Sequence, residues 1–255
     1  MRRTLRIALT VAAVAYGGLC AALYFCQDSL IYLPPARAQN PEDPTIAMTV
    51  EGVRLLVSVR PGAGPGALLY FGGNAEDVSL TLPSFARALP EHALYLLHYR
   101  GYAGSAGSPS EADNRRDALA LFDRVRQEHA SVAVVGRSLG TGVAVQLASE
   151  RPVYRLVLIT PFDSLEEIAA RQFPLFPVRL LLRDKYDSWQ RAPAIATPTT
   201  ILMAEHDEVV PRASTERLFA RFAAGVASLK IVPGANHNSI SSRPEYLGEL
   251  RSALE

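Results

Sequence analysis

Val134–Gly142 reads VVGRSLGTG, a serine held between glycines directly after an apolar run. The pattern Gly-x-Ser-x-Gly is short enough to arise by accident, so its setting has to carry the reading. SVAVVG (131–136) predicts a buried strand, and LGTGVAVQLASE (139–150) has apolar residues at helical spacing. Ser138 therefore stands where a strand turns into a helix, and a tight turn flanked by glycines there lifts a hydroxyl clear of a sheet. Gly140 and Gly142 are expected to let the new helix pack closely on that sheet. A phosphate-binding loop would need a lysine that is not nearby, and the glycine spacing does not fit Gly-x-Gly-x-x-Gly.

The alternation of strand and helix extends on both sides of this turn. IAMTVEGVRLLVSVRP (46–61) reads as two strands joined at Glu51-Gly52, ALLYFGG (67–73) as a buried strand, and VSLTLPSFARAL (78–89) as a helix. Strand ALYLLHY (93–99), loop RGYAGSAGSPS (100–110) and helix EADNRRDALALFDRVRQE (111–128) follow. Beyond the turn come strands RLVLIT (155–160), TTILMA (199–204) and SLKIV (228–232), helix ASTERLFARFAA (213–224), and a last helix from about Pro244. The fold class is α/β: a mostly parallel, doubly wound sheet opened by an antiparallel N-terminal hairpin. The insertion 161–198 holds Phe173, Phe176, Val178, Leu180, Leu181 and Trp189 between prolines. It reads as a short cap over the carboxyl ends of the strands, where such sheets bind ligands; a pair of plain packing helices is the alternative.

The chain has 255 residues, 49% of them hydrophobic, and a formal net charge of +1. That suffices for one substantial core, and the absence of a basic run in the body leaves nucleic-acid binding without support. Ile7–Cys26 is uncharged and follows Arg2, Arg3 and Arg6. A bilayer-crossing helix needs about 20 apolar residues, whereas a cleaved signal peptide has an apolar run of roughly 7–15. Residues 1–30 are therefore read as an uncleaved signal anchor. With only Arg37 shortly after the span, the N-terminus is expected in the cytoplasm and the catalytic domain, 31–255, on the periplasmic or extracellular side. Cleavage near Ala36-Arg37-Ala38, giving a secreted protein, is the alternative. Pro34, Pro35, Pro41 and Pro44 mark a tether. Cys20 and Cys26 fall inside or at the edge of the apolar span, which leaves the folded domain no disulfide, zinc site or cysteine nucleophile.

A serine is a weak nucleophile until a base takes its proton, and that base needs a carboxylate to orient it. His237, in VPGANHNSI, follows the last strand and precedes the last helix. Asp207, in EHDEVVP, stands at the end of TTILMA, with Glu205, Glu208 and Asp163 as rivals. His92 and His129 read as solvated, and His206 merely neighbours Asp207. For the oxyanion, the amide of Leu139 opens a helix, and YFGGNAED offers a second amide at Asn74, with Gly72 and Gly73 allowing close approach. Gly73, His98, Tyr102, Phe162 and Phe173 are the candidate substrate contacts.

YFGGNAEDV, YRGYAGSAGSPSE, GRSLGTGVAVQLA, EHDEVVP and GANHNSI together resemble the α/β-hydrolase superfamily, in particular its small membrane-anchored branch related to the serine aminopeptidase-like enzymes. QDSLIYLPP after the apolar span fits that branch as well. The resemblance implies an α/β-hydrolase fold, a triad of Ser138, Asp207 and His237, and an oxyanion hole at Asn74 and Leu139. The chain departs from the family at Gly72-Gly73, where His-Gly is common, and at His98, where an Asp is common. The expected activity is hydrolysis of an ester or thioester in a small-molecule or acylated substrate beside a membrane, without metal or cofactor. A serine peptidase using Glu166, Glu167, Asp184 and Asp187 to bind an amine is the alternative, and a catalytically silent binding module a further one.

Overall fold

The computed structural model describes residues 2–36 and 44–255, so Pro41 and, from the alanine signal, Arg37 and Ala38 lie outside the described residues. Eight strands form one sheet in the order β1-β2-β4-β3-β5-β6-β7-β8. They are β1 (Thr45–Val50), β2 (Val53–Arg60), β3 (Gly66–Phe71), β4 (Ala93–Leu97), β5 (Ser131–Arg137), β6 (Leu156–Ile159), β7 (Thr199–Ala204) and β8 (Ala227–Val232). The hairpin β1–β2 is antiparallel with Val50 opposite Val53, and β2 runs antiparallel to β4; every other pairing is parallel. Glu51 (φ 48) and Gly52 (φ 80) make the two-residue turn, and two successive positive φ values match the twist of the strands they join.

Helices cover both faces. Ala67, Leu69 and Phe71 of β3 belong to one core cluster with α3 (Glu111–Glu128) and α4 (Leu139–Glu150), while Leu68 and Tyr70 belong to a second with α2 (Leu82–Ala88) and the last helix (Pro244–Leu254). This period-two division of an unbroken apolar strand is what a sheet covered on both sides requires. The helix expected over 78–89 is divided into a 3-10 turn (Val78–Leu80) and α2, because Pro83 cannot donate a backbone bond and fits only the first turn of a helix.

α1 (Arg2–Ile31) is a continuous helix, long and apolar enough by length and composition to cross a membrane. Its C-terminal end is tied to the domain. Tyr32 Oη donates to Asp184 (2.6 Å) and lies 2.9 Å from the Tyr186 hydroxyl, to which Asn114 donates (2.9 Å). Burial raises both tyrosines well above their usual pKa, so they remain hydroxyl donors.

Candidate active site

The strand β5 delivers Ser138 to the mouth of the sheet. Ser138 is held at φ 48, ψ −117, a conformation that L-residues avoid, and its amide is anchored to the Ile159 carbonyl (2.9 Å). The turn closes only because its flanks lack side chains: a Cβ on Gly140 would stand 2.0 Å from the Phe71 carbonyl oxygen, and one on Gly136 would stand 2.4 Å from that of Gly140. Gly142 serves a different neighbour than expected. Its missing Cβ makes room for the Tyr186 ring, at 2.6 Å, and not for the sheet.

The structure brings Ser138, His237 and Asp207 together from three separate loops. Ser138 Oγ is 2.8 Å from His237 Nε2, and His237 Nδ1 is 2.9 Å from Asp207 Oδ2. The amides of Val209 and Val210 donate to Asp207 Oδ1 (2.9 and 2.7 Å), which fixes the carboxylate against the imidazole. The rival acids are occupied elsewhere. Asp163 accepts from Ser214 and Arg217, Glu205 from the Gly234 amide, and Glu208 from the His237 backbone amide.

A profile of the family described as serine aminopeptidase, S33, matches residues 166–242. An uncharacterized protein of Mycobacterium tuberculosis is 36% identical over 262 residues, covering 96% of this chain and 90% of its own length. Lysophosphatidylserine lipase ABHD12 of Xenopus tropicalis is 32% identical over 221 residues, covering 73% of this chain; the chain spans 57% of that lipase. Among solved structures, the Pyrococcus furiosus esterase Pf2001 superposes with a TM-score of 0.68 at 17% identity, covering 87% of this chain and 98% of its own. The chain belongs to the α/β-hydrolase superfamily.

In this α/β hydrolase an apolar cavity of about 300 Å³ opens beside Ser138, at the lower end of the range for small-molecule sites. Phe162 and Phe173, two of the candidate substrate contacts, line it together with Phe176, Val178 and Leu181 of the cap. The cap comprises α5 (Leu165–Gln172), α6 (Val178–Leu181) and α7 (Ser188–Arg191). Thr160, β-branched yet at φ 49, turns the chain out of β6 towards it. Leu180 points outward, and Trp189 stands apart from the cavity under the Arg221 guanidinium, so neither is a cavity wall.

Three candidate substrate contacts have other duties in the hydrolase. His98 is buried beneath the loop, 2.8 Å from Ser58 Oγ and 3.8 Å from Asp77. Tyr102 is buried and donates to Asn74 Oδ1 (2.7 Å). Gly73 abuts Ser138, and its amide donates to Glu76 (2.7 Å), so it shapes the loop from behind. Asn74 does border the cavity, and its side chain clamps the chain end of α1: Nδ2 donates to the Ile31 carbonyl (2.6 Å) and Oδ1 accepts from the Leu33 amide (2.9 Å). Leu139 opens α4, where the first amides have no carbonyl one turn back.

Two groups of residues escaped sequence reasoning. Glu76 accepts from Gly73, Tyr70 Oη (2.8 Å), Thr81 Oγ1 (2.9 Å) and Arg137 (3.0 Å), locking the Gly72–Glu76 loop to the residue before Ser138. Burial, reinforced by Glu76, raises Tyr70 well above its usual range and keeps it a donor. The second group is on α1: Leu23, Gln27, Leu30 and Ile31 form a wall of the cavity. Their spacing of four, three and one places them on a single helix face, with Leu23 inside the apolar run and the other three just beyond its end.

Proposed function

We propose that this protein is a membrane-anchored serine hydrolase that cleaves an ester or thioester through an acyl-enzyme. The observation that carries the reading is the unbroken line from Asp207 to His237 to Ser138, at 2.9 and 2.8 Å. Ser138 Oγ attacks the acyl carbonyl as His237 Nε2 takes its proton, and Asp207 accepts the Nδ1–H of the resulting imidazolium. The amides of Leu139 and Asn74 receive the oxyanion. His237 then gives its proton to the leaving alcohol or thiol, water attacks the acyl-enzyme with His237 again as base, and Ser138 is regenerated. The apolar cavity holds the acyl group.

A relative named as a lipase supports an ester substrate, and a structural neighbour named as an esterase has the same fold. A peptidase is supported by the description of the matched family, but the acids it would use are engaged: Glu166 with Lys185 (2.6 Å), Glu167 with Arg179 (2.7 Å), Asp184 with Tyr32 and Asp187 with Gln190. Among the described residues lining the cavity, none is acidic. Residues 1–30 act as the anchor and 31–255 as the catalytic domain, with the cap at about 161–198. The arginines before the apolar span support a cytoplasmic N-terminus with the site on the outer side.

A fluorophosphonate probe should label the wild-type protein and leave Ser138→Ala unlabelled at unchanged circular dichroism. Labelling that survives the substitution overturns the assignment. A panel of p-nitrophenyl esters of increasing acyl length, run against aminoacyl p-nitroanilides, should show turnover of the esters alone; a preference for the anilides would favour the peptidase.

A further inference from the structure

α1 and the cap are joined well inside the apolar span. Tyr16, in the middle of Ile7–Cys26, donates its hydroxyl to the Leu175 carbonyl (2.8 Å), and its ring stacks on Phe176 with centroids 5.8 Å apart and planes 4° apart. From Tyr16 to Cys26 the helix rises about 15 Å at 1.5 Å per residue. A cap that meets Tyr16 therefore reaches below the level at which the apolar span ends.

The cap tip is built for a medium without water. Gln172–Val178 carries no charge, and Pro174 and Pro177 remove two backbone donors that hydrocarbon could not satisfy. Leu175 and Leu180 point outward at 81% and 83% exposure, an unusual cost for two leucines in water. The one charge between them, Arg179, turns back to Glu166 and Glu167. Tyr16 and the Leu175 carbonyl satisfy each other across the gap.

Building on the reading of α1 as a membrane anchor, we infer that the cap tip enters the bilayer beside α1, and that the cavity between them draws its substrate from the membrane: an ester with a single acyl chain dissolved in the lipid. Leu23 and Leu30 on one side and Phe173 and Phe176 on the other form the walls along which the chain slides towards Ser138.

The test uses the full-length protein reconstituted in phosphatidylcholine vesicles. In a Trp189→Phe background, Leu175→Trp and Leu180→Trp report depth: quenching by lipids brominated on the acyl chain supports the inference, and quenching by aqueous acrylamide alone overturns it, whatever the protein hydrolyses. In a second arm, the Leu175→Asp/Leu180→Asp variant should keep its rate on water-soluble p-nitrophenyl butyrate and lose at least tenfold on 1-oleoylglycerol embedded in the vesicles. Equal rates on both substrates overturn the portal. A variant inactive on both has misfolded, and the quenching arm then decides; a wild-type protein inactive on both refutes the esterase reading and leaves the depth measurement standing.

Discussion

Ser138 at φ 48, ψ −117 stores backbone strain of about 1–3 kcal/mol, and the residues packed around it must hold that conformation. Gly140→Ala should therefore slow fluorophosphonate labelling about a hundredfold, since a methyl group 2.0 Å from the Phe71 oxygen forces the turn to move by the ångström that such geometry does not tolerate. Glu76→Gln tests the loop behind the site. An amide cannot accept from Arg137, Gly73, Tyr70 and Thr81 together, so kcat should fall about tenfold, roughly 1.4 kcal/mol, at unchanged KM in steady-state ester hydrolysis. The positions of Ser138, Asp207 and His237 were readable because each follows a strand whose end the apolar pattern marks. His98 and Tyr102 read from sequence as substrate contacts while the fold buries both outside the cavity lining, because a polar residue near a strand end looks the same whether it faces the cavity or supports it from beneath.

Local pattern also explains which elements were legible. α3, α4 and β7 have the bounds read from periodicity, because each is one amphipathic or apolar run with clear ends, as at Ser110, which caps α3 through the Asp113 amide (3.1 Å). The role of α1 in the cavity was invisible, since Gln27 meets Leu181 across 154 positions. Gln27 is the clasp between these elements: it donates to the Leu181 carbonyl (3.1 Å) and accepts from the Arg183 amide (2.8 Å), and Arg183 pairs with Asp28 (2.6 Å). Gln27→Ala strands two cap groups, costing about 1–3 kcal/mol locally. Hydrogen exchange of the amides from 181 to 183 should accelerate, with the rest of the sheet unaffected, and KM for long-chain esters should rise more than for short ones.

Across the whole molecule, Tyr186 is where the end of α1, the cap and the helix that follows Ser138 converge. It sits at φ 45, fills the space left by Gly142, and links Asn114 of α3 to Tyr32. Tyr186→Phe leaves Asn114 without its acceptor and should cost about 1–3 kcal/mol. At this chain size each kcal/mol lowers Tm by roughly 2–4 °C, measurable by thermal unfolding in micelles. Tyr32→Phe combined with it should be less than additive, because the two hydroxyls share one chain of hydrogen bonds.

The Asn74 clamp on Ile31 has a kinetic consequence. One side chain joins the last turn of the helix to the loop beside Ser138, which ties the cavity to the end of α1. An enzyme anchored as proposed samples a two-dimensional concentration. At fixed amounts of enzyme and acyl ester, diluting the vesicles with buffer should leave the initial rate unchanged, whereas diluting the ester with inert phospholipid should lower it in step with the ester's mole fraction in the surface.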